Sequence, residues 1–156
     1  MNILKKLTAT YLLAALGLVA SNSHAGGLSA KDYMEIQQLY ATYNWAIDTG
    51  DAQAYANTFT KDGVFNTMQG REQLAGFIDR WVTSMNGSAR KHWNSNLHIE
   101  GDGKTAKGKV YLLLLDTSVQ PAAIVASANY SDELKKTAEG WRFTKRSTSP
   151  DRPAAK

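Results

Sequence analysis

The chain contains no cysteine among its 156 residues. Disulfide staples, thiolate nucleophiles and thiolate metal sites are therefore excluded, and stability rests on packing alone. A membrane-crossing run is missing as well. The longest uncharged apolar stretch, Leu7 to Ala20, is roughly 14 residues, against the about 20 that a helix needs to span a bilayer. Lys5 and Lys6 precede that stretch, and Ser23-His24-Ala25, a small-x-small cleavage signature, follows it. Residues 1–25 thus read as a signal peptide. The mature chain is expected to begin near Gly26, to be periplasmic or secreted, and to be free of the membrane after cleavage.

Concentrated positive charge is also absent. The formal charge of +4 falls to +2 once Lys5 and Lys6 leave, with 16 basic against 14 acidic residues. Arg71, Arg80, Arg90, Lys104, Lys107, Lys135 and Lys145 are scattered, with no basic stripe interleaved with aromatics. Nucleic acid is not an expected partner. No internal repeat or low-complexity tract occurs, and residues 26–156 suit a single domain with a continuous core.

What is present is a change of period along the chain. Ser29 with Asp32 three residues on makes a capping-box start, after which Tyr33, Ile36, Leu39, Tyr40, Tyr43 and Ile47 recur at helical spacing. This helix stops at Thr49-Gly50. Asp51 caps a short second helix running through Phe59, and Lys61-Asp62-Gly63 turns the chain into a strand from Val64 to Thr67. Leu74, Phe77, Ile78, Trp81 and Met85 stripe a third helix, which Asn86-Gly87-Ser88 terminates.

From Lys91 the period becomes 2, with strands at 91–100, 104–116, 121–135 and 140–148 and turns at Gly101-Asp102-Gly103 and Ala138-Glu139-Gly140. Helices first and long strands after give an α+β class: a conical barrel of strongly curved antiparallel or mixed sheet, covered by about three N-terminal helices. The strand at 104–116 is apolar on both faces over its second half. Tyr111, Leu113 and Leu115 lie on one face, and Val110, Leu112 and Leu114 on the other. Both faces call for burial, one inside the domain and the other against the far side of the helices or a second subunit, so a homodimer is expected. Residues 149–156, with two prolines and no apolar period, read as a disordered tail.

Three polar clusters are candidates for chemistry at the apolar open end of such a cone. Tyr40, Tyr43, Asn44 and Asp48 close the first helix, with Asn44 and Asp48 on one face. Asp48 stands in the last turn, where the helix dipole disfavours a negative charge, which makes it a candidate base. The competing reading is a plain polar turn, Asp48-Thr49-Gly50-Asp51.

On the strand from Lys91, alternation puts His92, Asn94, Asn96 and His98 on one face. The two histidines would stand roughly 20 Å apart, too far to share one ion, and no metal is expected. His92 can serve as general base if a carboxylate fixes its tautomer, and Asp48 is the candidate partner. The third cluster, Ala123, Val125, Ser127 and Asn129, forms a small-residue wall that would suit a ligand.

The segments Tyr43 to Asp51, Phe59 to Phe65, Arg90-Lys91-His92-Trp93 with Asn96, Gly101 to Ala106, Tyr130 to Leu134 and Gly140-Trp141-Arg142-Phe143 resemble, in order and spacing, a SnoaL-like domain of the nuclear transport factor 2-like superfamily. The resemblance covers residues 29–148 and sits closest to the dehydratase-like branch. It implies a cone-shaped, usually dimeric α+β domain, assigned here to residues 26–148, with a small hydrophobic ligand inside and no cofactor.

It also implies a cofactor-free lyase or isomerase of the dehydratase type acting on a small hydrophobic carbonyl compound. His92 would take the proton next to the carbonyl, Asp48 would hold the imidazole, and Tyr43 would donate to the developing oxyanion. Tyr40, Asn129, Trp81 and Phe65 are the candidates for the substrate-binding wall. A non-catalytic periplasmic binding module is the alternative. Epoxide hydrolysis by Asp48 and Asp116 bridged by Arg146 ranks third.

Overall fold

A computed structural model describes residues 27–151. The signal-peptide reading of residues 1–25 and the end of the tail, residues 152–156, lie outside the described residues. Ser29 opens α1 (Ala30–Thr49) with the expected reciprocal cap: its hydroxyl accepts from the Asp32 N–H, and the Asp32 carboxylate accepts from the Ser29 N–H. Gly50 closes the helix in the left-handed region at φ 73°, and a Cβ there would also meet Val82 Cγ2 at 2.8 Å. Asp51 caps α2 (Ala52–Asn57) by accepting from the Ala54 N–H. This helix is two residues shorter than expected, because Phe59 begins a strand.

The strand β1 runs from Phe59 to Phe65, and β2 (Met68–Gln69) hairpins back on it. Lys61-Asp62-Gly63 therefore lies within β1 and does not form a turn. Phe59 pairs with Phe143 and Val64 with Lys145, so β1 carries three residues more than its neighbour over that stretch, with Lys61 and Asp62 exposed and Gly63 buried. The third helix, α3 (Gly70–Met85), ends at Asn86 and Gly87, both with positive φ.

Four long strands follow: β3 (Arg90–Gly101), β4 (Thr105–Asp116), β5 (Ala123–Thr137) and β6 (Gly140–Pro150). β6 extends past residue 148 because Ser149 and Pro150 pair with Asn129 and Ala128, so the start of the supposed tail is ordered sheet.

The sheet order is β2-β1-β6-β5-β4-β3, antiparallel throughout except for the parallel β1–β6 pair. The fold is the expected α+β cone with helices over a mixed sheet. The sheet is open at β2 and β3, however, so it does not close into a barrel.

The interior is packed around a charge. Arg146 is fully buried and donates through Nε and Nη2 to the two carboxylate oxygens of Asp132, both at 2.8 Å. Its guanidinium carbon lies 4.1 to 4.7 Å from the ring centroids of Phe143, Tyr43, Tyr130 and Tyr40. Bidentate pairing and aromatic faces compensate the desolvation of the guanidinium. Tyr40 donates its hydroxyl to Asp132 as well. Gly108 makes that contact sterically feasible, since a Cβ there would collide with the Tyr40 hydroxyl.

Candidate active site

The last turns of α1 lie against the first half of β3 and form two rungs. In the first, Asp48 Oδ1 stands 2.7 Å from His92 Nδ1, and both Asp48 oxygens accept from the His92 backbone N–H at 3.1 Å. In the second, one turn back along α1 and two residues along β3, Asn44 Nδ2 donates to Asn94 Oδ1 at 2.8 Å. The Asp48 and His92 side chains are only 8% and 4% exposed, so this is a buried pair and not a solvated turn. The His92 N–H and ring offset the unfavourable placement of a carboxylate at a helix C-terminus. In the neutral imidazole, a hydrogen bond donated from Nδ1 to the Asp48 carboxylate leaves Nε2 as a lone-pair acceptor. Among the described residues Nε2 has no hydrogen-bond partner.

Trp81, from α3, packs on the imidazole with ring centroids 5.6 Å apart and the planes tilted by 56°. Its other neighbour is Phe77, which in turn stacks against Phe65. Phe65 is 6% exposed and packed between Tyr55 and Phe77, so it belongs to the core behind the site. Two side-chain atoms bordering the rungs are buried without partners: Trp81 Nε1 and Asn44 Oδ1.

Several of the expected site residues lie elsewhere in the structure. Tyr43 is fully buried, and its hydroxyl is 3.0 Å from that of Tyr55. Burial and the neighbouring Tyr55 push its ionisation well above the ordinary tyrosine range, only partly opposed by Arg146. It is a core ring whose hydroxyl is engaged with that of Tyr55.

Tyr40 is likewise taken, by Asp132, and its ionisation is raised by burial first and by the Asp132 charge second. Asn129 lies on the opposite face of β5 from the buried Ala128, Tyr130, Asp132 and Leu134, and donates to Asp151 at 2.8 Å. The inward set of β5 is the other alternation phase.

His98 does not share a face with His92. Asn96 adopts φ 56°, and Ser95 pairs with Tyr111 while His98 pairs with Lys109, a one-residue bulge that turns Leu97 and Ile99 inward and His98 outward. Asp116 pairs with Arg90 at 3.1 Å and Arg146 with Asp132, so the carboxylate–arginine–carboxylate arrangement needed for epoxide opening is not assembled. Asp132 is a buried carboxylate tied to Arg146 and Tyr40. Its strand alternation places it on the inward face with Tyr130 and Leu134, and that was the available signal. Among the described residues no three His, Asp or Glu side chains converge as a metal site.

Two clefts, of about 510 and 520 Å³, lie elsewhere. One is walled by Glu35, Leu39, Trp141 and Arg142, the other by Lys107, Lys109, Glu133 and Lys145, and neither includes Asp48 or His92.

Against known proteins, the SnoaL-like domain family matches residues 29–147, most of the chain. The chain belongs to the SnoaL-like family. This SnoaL-like chain is 26% identical over 121 residues to the uncharacterized protein Rv2910c of Mycobacterium tuberculosis, covering 74% of this chain and 82% of that one. Among solved structures it is similar to a Catenulispora acidiphila protein in complex with S-DNPA, at 28% identity and TM-score 0.70, covering 79% of this chain and 96% of that one. An NTF2-like protein with a cystatin-like fold from Novosphingobium aromaticivorans shares the fold at TM-score 0.72 and 23% identity, over 80% of this chain and 85% of that one.

Proposed function

We propose that this SnoaL-like domain is a cofactor-free lyase or isomerase that acts on a small hydrophobic carbonyl compound, with His92 as the base and Asp48 as the group that orients it. The observation that carries the reading is the buried contact at 2.7 Å between Asp48 and His92 Nδ1, which leaves Nε2 as the ring's free acceptor. A carboxylate that binds both the backbone N–H and the ring of one histidine fixes its position as well as its tautomer. The imidazolium formed when Nε2 takes a proton is stabilised by the same carboxylate. Binding of a small molecule is supported by the Catenulispora acidiphila neighbour, which holds S-DNPA. We also propose export, on the leader pattern of residues 1–25.

Exchange of the α-hydrogens of 1-tetralone for deuterium in D₂O, followed by NMR, tests the base. The native protein is expected to speed the exchange, and His92→Ala to remove the acceleration while keeping the folded circular-dichroism signal. An unchanged rate in that variant would eliminate His92 as the base.

A further inference from the structure

We propose that the Trp81 indole N–H holds the ligand's carbonyl oxygen beside His92, and that the Asn44 amide oxygen receives a hydroxyl hydrogen of the same ligand, which makes the ligand a hydroxy-ketone. The inference rests on the reading of His92 as a base acting next to a carbonyl. It starts from two atoms that folding leaves unpaid: Trp81 Nε1 is buried with no acceptor, and Asn44 Oδ1 is buried with no donor.

A buried unpaired polar group costs on the order of 1–3 kcal/mol, and buried indole N–H groups normally find a partner. Trp141 shows the ordinary outcome in the same fold, since its indole N–H donates to Asp32 at 3.0 Å. Trp81 differs from it in standing against the His92 ring.

The Tyr43 hydroxyl expected as the donor and the Tyr40 hydroxyl expected in the binding wall are both occupied. Tyr43 pairs with Tyr55, and Tyr40 donates to Asp132. Asn44 has committed its NH₂ to Asn94, which fixes its amide oxygen as the free end, one helical turn from Asp48. Trp81, against the imidazole, thus carries an unused donor, Asn44, one helical turn from Asp48, carries an unused acceptor, and His92 carries the basic nitrogen. An oxygen that gains negative charge suits the donor, and a hydroxyl suits the acceptor.

In the step itself, Nε2 of His92 takes a proton from the carbon next to the carbonyl. The C–H electron pair becomes the C=C bond of an enolate, and the charge moves to the oxygen facing the Trp81 N–H, whose hydrogen bond strengthens as the charge develops. Return of a proton from the imidazolium restores the ketone, so no oxidant or reductant is required.

The test uses 1-tetralone, 4-hydroxy-1-tetralone and, as the carbocycle without a carbonyl, tetralin. In ¹⁵N-labelled protein the Trp81 indole signal, assigned by its loss in Trp81→Phe, is expected to move with both ketones and not with tetralin. Trp81→Phe keeps a ring against His92 and should slow α-deuterium exchange by about 10²-fold, the usual effect of losing one such donor. Asn44→Leu should abolish the tighter binding of the hydroxylated ketone relative to 1-tetralone. Native exchange in Trp81→Phe, with exchange lost in His92→Ala, would overturn the donor assignment and leave the base intact. An indole signal that ignores the ketones, or moves equally with tetralin, would overturn it independently of any catalysis. Equal affinity for the two ketones in the native protein would overturn the Asn44 assignment.

Discussion

Asp32 shows how much one side chain does at a helix start. Beyond its cap with Ser29, its Oδ1 accepts from Lys136 Nζ at 2.6 Å and from Trp141 Nε1 at 3.0 Å, so a single carboxylate ties α1 to both β5 and β6. Lys136 first and Ser29 second hold this carboxyl far below the usual carboxylate range, against the opposing effect of burial. A folded-state value below the unfolded one means that the stabilisation is complete above the ordinary carboxylate pKa of about 3.9. It is lost as pH falls from there through the folded value. Asp32→Asn should lower the urea-unfolding free energy by about 1–3 kcal/mol at pH 7. The gap between native and variant should stay constant down to about pH 5 and narrow below about pH 4. A gap that widens in acid would contradict the assignment.

At the scale of elements, the helices were legible because their signals are local. The Ser29–Asp32 box, the Gly50 terminator and the Asn86-Gly87 stop all act within a few residues of where they stand. The long strands were legible for the same reason, through their alternation. What alternation could not convey was a change of phase along one strand.

The bulge at Asn96 reverses β3 after Ser95, and a second irregularity, between the pairs Leu114–Ala126 and Leu115–Ile124, does the same in β5. A bulge depends on a partner strand, so it is a tertiary fact written weakly in the strand's own residues. His92 lies before the first bulge and faces α1, whereas His98 lies beyond it and faces outward. Asn129 was assigned to the wrong face, and Lys61-Asp62-Gly63 looked like a turn because glycine and aspartate mark turns and bulges alike.

For the whole molecule, the Asp48–His92 pair was legible because it needs only the end of one helix and the start of one strand to meet. The Arg146 cage was not, since it draws on α1, β5 and β6 at once and fills with rings the space that an open cone would leave. The opposite face of the sheet carries a different message. Trp93, Tyr111, Leu113 and Ile124 are all 36% exposed or more. We propose that this face is covered by a second copy of the chain, as the two-sided apolar strand suggested. Light scattering coupled to size exclusion should give the mass of a dimer for the native protein and of a monomer for Leu113→Glu, and a native monomer would contradict it.

The proposed reaction depends most on where one proton sits. Long-range ¹H–¹⁵N spectroscopy of the His92 imidazole measures it directly. In the neutral ring the proton is predicted on Nδ1, hydrogen-bonded to Asp48, with Nε2 bare and able to take a proton from a ligand. A proton on Nε2, or a ring averaging between the two forms, would contradict it.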